Sequence, residues 1–232
     1  NKEAAAAARH LAAFKRLTDV AAARDLYARA AELDSDDFWT WIDLGDMQMA
    51  TGQSQAALAS YEHGHIIAQK LADADPANML WQRDISVSDE KIGDVRLMLG
   101  DLPGSLSAYQ RSYYIREQFA ASHPKITEWQ RDISISHNKI GDVRRDLGDL
   151  TGAIKAYQSS LDNRQKLISV EPTNTQWQFD ISVSYEKIGD VRIAQGDLSG
   201  ALKAYIDSLN IRRKLVSAEP ANTQWQRDFS VS

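Results

Sequence analysis

Four aspartates stand at a fixed interval of 48 residues, at Asp46, Asp94, Asp142 and Asp190. A row of carboxylates favours a basic or amine-bearing partner through charge complementarity. The same carboxylates can instead pair within the chain, Asp94 with Lys91 or with Arg131 of the next repeat. That alternative needs no ligand, and the sequence leaves both interpretations open.

The residues that catalysis or metal binding would need form no recognised pattern. The chain has no cysteine, which excludes a thiolate nucleophile and Cys-ligated zinc. His63 and His65 lie two residues apart, on different faces of a helix, and no H-E-x-x-H motif accompanies them. No glycine-rich loop suited to a phosphate is present. We therefore expect no enzyme activity, no metal and no cofactor.

Composition narrows the class of partner. The net charge of -5 argues against nucleic acid, because phosphate binding needs a basic surface. No run approaches the roughly 18 apolar residues of a membrane helix, and no signal-peptide pattern opens the chain. The absence of cysteine fits a cytoplasmic location, which we expect. Because the chain begins at Asn1 without methionine and stops inside a repeat, we also expect it to be a fragment.

Internal repeats predict the architecture. The segment WQRDISVS at 81–88 returns, with small changes, at 129–136, 177–184 and 225–232, so the period is 48 residues. Within one unit, Trp177, Ile181 and Ile188 recur at helical spacing and predict a first helix, helix A. Because glycine favours the position just past a helix end, helix A should stop at Gly196. Asp197 should then cap a second helix, helix B.

This order of residues resembles the tetratricopeptide repeat (TPR) family. The matching residues are Tyr185, Ile188, Gly189, Gly196, Ala201, Tyr205 and Pro220. The family's period is about 34 residues, so each helix here is longer by roughly two turns. The resemblance implies an all-α fold, a right-handed α-solenoid of antiparallel helix hairpins. It also implies peptide or protein binding in the concave groove lined by the A helices.

The repeats predict a single array over residues 1–232. We expect hairpins at about 1–37, 38–77, 78–125, 126–173 and 174–221, followed by the start of a further helix at 222–232. Arg192 should lean toward helix B and reach an acid near the turn.

Helix geometry gives the residues that should face the groove. They are Trp39, Ile42, Asp46, Met49, Arg83, Glu90, Asp94, Arg131, Asn138, Asp142, Arg145, Glu186 and Asp190. The apolar trio Trp39, Ile42 and Met49 is typical of a binding hot spot. Packing against the first hairpin is the alternative.

The leading hypothesis is a scaffold that binds a protein or peptide, with a basic segment favoured. One alternative is a regulatory or self-assembly arm of a larger multidomain signalling protein, since exposed solenoid ends favour stacking with another copy. A further alternative is the substrate-recruiting part of an enzyme whose catalytic domain lies outside these residues.

Overall fold

The computed structural model of the protein describes residues 2–124 and 126–219. Within these ranges the backbone forms α-helices joined by short turns, and no strand occurs. The helices are α1 (Lys2–Lys15), α2 (Val20–Leu33), α3 (Phe38–Ala50), α4 (Ser54–Ala74), α5 (Met79–Met98), α6 (Leu102–Ser122), α7 (Thr127–Asp146), α8 (Leu150–Val170), α9 (Thr175–Ala194) and α10 (Leu198–Ala218). The expected all-α class of helical hairpins is confirmed. The helix expected over 222–232 lies outside the described residues.

The chain divides into two compact units, unit 1 (Asn1–Ile115) and unit 2 (Arg116–Ser232). Unit 1 contains α1 to α5 and the larger part of α6, and unit 2 contains the end of α6 and α7 to α10. We call α3, α5, α7 and α9 the A helices, because each carries an I-G-D or L-G-D segment. The helices that follow them, α4, α6, α8 and α10, are the B helices.

The turn from α9 to α10 shows why the hairpins form. Gly196 has a φ of +79°, a left-handed conformation that glycine adopts without steric cost. Asp197 then caps α10 by accepting a hydrogen bond from the Gly200 N–H at 2.9 Å. The guanidinium of Arg192 lies 3.3 Å from the Asp197 carboxylate. The expected helix end, cap and arginine contact are therefore confirmed.

Each hairpin is closed by an aromatic ring packed on a glycine. In unit 1 the ring of Tyr109 in α6 lies so close to Gly93 in α5 that a Cβ on that glycine would be 2.5 Å from the ring. In unit 2 the ring of Tyr157 in α8 packs on Gly141 in α7 in the same way. Only a residue without a side chain allows this approach, which accounts for the repeated glycine before each aspartate.

Apolar clusters lie between the helices of each unit. In unit 1, one cluster joins α1, α2 and α3 around Tyr27 and Met47, and another joins α3 to α6 around Tyr61 and Ile92. In unit 2, a cluster joins α8, α9 and α10 around Ile188. Across the described ranges, no helix has both the length and the hydropathy to cross a membrane.

Candidate interaction surface on the A helices

Every aspartate of the 48-residue series is hydrogen-bonded to a tyrosine of the following B helix. We call each such pair an Asp–Tyr latch. The pairs are Tyr61 Oη to Asp46 Oδ1 at 2.7 Å, Tyr109 to Asp94 at 2.6 Å, Tyr157 to Asp142 at 2.7 Å and Tyr205 to Asp190 at 2.7 Å. The tyrosine ring packs on the glycine that precedes the aspartate, so one G-D dipeptide holds both ends of the same side chain.

Two of these aspartates also bind a lysine of the next A helix. Lys91 Nζ donates to Asp46 Oδ1 at 2.7 Å in unit 1, and Lys187 Nζ donates to Asp142 Oδ1 at 2.5 Å in unit 2. The lysine and the tyrosine therefore meet at one carboxylate oxygen, between successive hairpins. This geometry supports intramolecular pairing, although Lys91 bonds the aspartate of the preceding repeat rather than Asp94.

The electrostatics of the latches keep the tyrosines protonated. Burial and the partner aspartate raise the pKa of Tyr61, Tyr109 and Tyr157 well above the usual value for a phenol. At the less buried Tyr205 the same causes raise the pKa to about 12. Each phenol is therefore a hydrogen-bond donor throughout the physiological range.

Three of the expected groove residues come together in unit 1. Asp46, Met49 and Asp94 line a pocket of about 360 Å³ between α3 and α5. Arg16 of α1 and Lys91 of α5 also line it. We call it the A-helix pocket. It combines an apolar side chain with carboxylates and cations, which is a suitable lining for a mixed peptide segment.

The expected apolar trio does not form one surface. Ile42 is 2% exposed and belongs to the core of unit 1, where its Cδ1 faces Gly64, so it is not available to a ligand. Trp39 is 45% exposed and packs edge-on against Phe38, with ring centroids 5.0 Å apart. Met49 alone reaches the A-helix pocket. Assigning Ile42 to the surface was wrong because α3 is buried on more than one side.

Buried arginines of the B helices engage two other expected groove residues in unit 2. Asn138, 9% exposed, accepts a hydrogen bond from Arg164 at 2.9 Å with its amide oriented to suit its neighbours. Glu186 accepts one from Arg212 Nη2 at 2.5 Å. Arg164 also donates to the Asp180 carbonyl at 2.8 Å, so it links α8 to α9. The sequence analysis missed these arginines, although their 48-residue spacing was a signal.

The remaining expected groove residues lie on the surface or near it. Arg83, Arg131 and Asp190 are exposed, Glu90 is half-buried, and Arg145 is half-buried with an ion pair to the adjacent Asp146 at 2.9 Å. In the part of the chain that the structure describes, no group of three or more histidine, aspartate or glutamate side chains is placed to hold a metal ion.

Comparison with known proteins gives the fold. Neither a scan of protein-family models nor a sequence comparison with curated proteins produced a match. Among solved structures, MamA is similar with a TM-score of 0.63 and 19% identity, covering 94% of this chain and 96% of that chain. YrrB, described as a TPR protein with an unusual peptide-binding site, gives a TM-score of 0.56 and 15% identity over 98% and 93% of the two chains. A kinesin-light-chain-like protein of Podosopora anserina with nearly identical TPR-like repeats gives 0.63 and 14% over 90% and 94%. The chain therefore has the TPR-like fold of stacked helical hairpins.

Proposed function

We propose that this chain is a protein-interaction scaffold that binds a peptide or protein segment in a concave groove lined by its A helices. The observation that carries the proposal is the A-helix pocket of unit 1, because it gathers Asp46, Met49 and Asp94 around one opening. Similarity to YrrB, a TPR protein with a peptide-binding site, supports it at the level of the fold. The proposed role assigns no catalytic step, metal or cofactor to the chain, and a cytoplasmic location remains a prediction.

The lining of the A-helix pocket indicates what a ligand should carry. Met49 offers a flexible apolar contact, which adapts to aliphatic and aromatic side chains. Asp46 and Asp94 contribute negative charge, and Lys91 and Arg16 partly compensate it. We therefore propose a segment with an apolar anchor next to a basic residue. The exposed Arg83 and Arg131 and the half-buried Glu90 would extend contacts beyond the pocket.

Peptides selected from a random displayed library against the folded chain provide the test. Substitution Met49→Arg would fill the pocket with a charged side chain, and we expect it to weaken binding of the selected peptides by about tenfold or more. Isothermal titration calorimetry gives the dissociation constants. Circular dichroism establishes that the variant is folded.

Met98→Arg is the matched control, because Met98 is 64% exposed at the end of α5 and does not line the pocket. It should change the affinity by less than about twofold. Equal binding by wild type, Met49→Arg and Met98→Arg would remove the A-helix pocket as the site. Failure to select any peptide would count against peptide binding altogether.

A second candidate function is self-assembly, and one observation in unit 2 favours it. Leu198, Leu202 and Ile206 form a stripe along α10, at 69%, 61% and 47% exposure. The corresponding residues of α8, Leu150 and Ile154, pack against the apolar cluster of α8, α9 and α10. The stripe on α10 is thus the kind of surface that another helix covers elsewhere in the same unit.

If the stripe joins two copies, the mass measured by light scattering should rise with protein concentration. The double variant Leu198→Glu/Leu202→Glu should then remain monomeric over the same range, because two carboxylates cannot be buried in an apolar interface. Leu80→Glu, at a residue 61% exposed on α5, is the control and should assemble like the wild type. A wild-type mass that stays monomeric at all concentrations rejects self-assembly.

A further inference from the structure

Each unit has a cleft on the side of its B helices. In unit 1 the cleft has a volume of about 450 Å³ and lies between α4, α5 and α6. In unit 2 a cleft of about 260 Å³ lies between α8, α9 and α10. Gln69 lines the first and Gln165 the second, and these residues are separated by two repeat lengths. We call them the B clefts, and they are the same place in two different repeats.

The repeats preserve the frame of the B clefts but not their lining. The latch residues are identical from repeat to repeat, as Asp94 and Asp190 show. The corresponding lining positions of the two clefts differ in charge and shape. They are His65 and Leu161, Asp89 and Tyr185, Ser107 and Lys203, and Arg111 and Asp207. Because Asp89 and Arg111 have no counterpart in unit 2, the repeated frame does not require them.

Asp89 and Arg111 form a built site in the B cleft of unit 1. Asp89 is fully buried, at 0% exposure. Its Oδ1 accepts hydrogen bonds from Arg111 Nε at 3.0 Å and Nη2 at 2.5 Å. Its Oδ2 is buried with no hydrogen-bond partner among the described residues. Leaving such an oxygen unsatisfied costs about 1 to 3 kcal/mol, so this carboxylate is an expensive choice for packing alone.

The arginine is placed to bind an acceptor. A guanidinium has five N–H donors. Three are used, two toward Asp89 and one from Nη1 to Ser107 Oγ at 3.3 Å. The side chain of Arg111 is 47% exposed, so its other two N–H groups reach the open cleft. A buried aspartate behind an arginine holds the fork in place, which lowers the entropy lost when the fork binds a ligand.

The rest of the cleft limits the class of ligand. A single guanidinium, already compensated by Asp89, matches the two oxygens of a carboxylate better than a more highly charged phosphate. Tyr114, 62% exposed, and Ile115 offer apolar surface beside it. Gln110 adds a neutral amide. The ligand should therefore have a carboxylate next to an apolar group.

We propose that the B cleft of unit 1 binds a carboxylate of a partner protein, with Arg111 as the binding residue and Asp89 as the residue that positions it. This site is on different helices from the A-helix pocket and does not depend on the function proposed for it. The carboxylate comes from a glutamate or aspartate side chain or from a chain terminus. Both share the chemistry that the arginine fork recognises.

Nuclear magnetic resonance of the side chains provides the test, through the Nε–H signal of Arg111 and the ring signals of His65, which also lines the cleft. The probes are N-acetyl-leucine for a terminal carboxylate, N-acetylglutamate α-amide for a side-chain carboxylate, and N-acetyl-leucinamide as the uncharged control. We expect at least one carboxylate to shift both signals saturably, and the stronger of the two identifies the source. The leucinamide should leave them unchanged.

Substitution separates the arginine fork from simple charge. Arg111→Lys keeps the charge but loses the paired donors, and it should raise the dissociation constant read from the His65 signals by about tenfold. Arg29→Gln, at an exposed arginine of α2 in the same unit, should leave it unchanged. Equal shifts from all three probes, no shift from either carboxylate, or an unchanged constant in Arg111→Lys would each overturn the proposal.

Discussion

Substitution Gly93→Ala should lower the free energy of unfolding by about 2 to 3 kcal/mol. The new Cβ would lie 2.5 Å from Cε1 and 2.6 Å from Cδ1 of the Tyr109 ring, so the ring has to move. Tyr109 is 2% exposed and its hydroxyl is bonded to Asp94 at 2.6 Å, so it cannot move without breaking the Asp–Tyr latch. Urea denaturation followed by circular dichroism measures the loss.

The sign of this effect is informative because helix propensity acts the other way. Replacing glycine by alanine inside a helix normally stabilises the helix by about 1 kcal/mol. Gly64→Ala is the control, since its Cβ would lie 3.2 Å from the flexible Cδ1 of Ile42 and not against a locked ring. It should be neutral within about 1 kcal/mol. Stabilisation by Gly93→Ala would contradict the latch as the closing contact of the hairpin.

The fold could be predicted from the sequence because its signals are local. A left-handed glycine such as Gly196, followed by a capping residue such as Asp197, marks a helix end wherever it occurs. The repeat multiplies that signal until the pattern of hairpins becomes clear. Apolar spacing supplies the rest, since it depends on helix geometry alone.

The roles of the polar residues could not be predicted so well, because they depend on contacts between helices. The spacing of Asp142 gave its helix face, but not the hydroxyl of Tyr157 or the ammonium of Lys187 that meet it. The same holds for Asn138, whose partner Arg164 lies on the following helix. Residues that repeat without change are constrained by the frame, so the aspartate series was a signal of packing as much as of binding.

This distinction bears on where an interaction protein of this kind carries its specificity. In unit 1 the A-helix pocket is bordered by latch residues, so its charge cannot change without loosening the hairpins. The B cleft is lined by side chains that the latches do not use, such as Arg111 and Tyr114. The first surface can offer a general peptide site, whereas the second is free to differ from repeat to repeat.

Asp84→Asn should stabilise the protein near neutral pH, by about 2 kcal/mol at about pH 7.5. Asp84 is 5% exposed, and its burial raises the pKa of the carboxyl to about 6, although Arg83 opposes the effect. The folded state therefore binds this proton more tightly than the unfolded chain, whose aspartates have a pKa of about 3.9. As pH rises from about 4 through 6, the folded protein must either keep the proton or bury a charge, and stability falls.

The asparagine variant removes that charge, so it should lose this fall in stability between about pH 4 and 6 and gain most above it. Urea unfolding of both proteins across this pH range measures the difference. Asp180→Asn changes the corresponding residue two repeats later, which is half-buried and accepts a hydrogen bond from Gln176 at 3.0 Å. No gain is expected there, because the carboxylate already has a donor and solvent nearby. Parallel pH profiles for Asp84→Asn and wild type would mean that Asp84 is charged at little cost in the folded state.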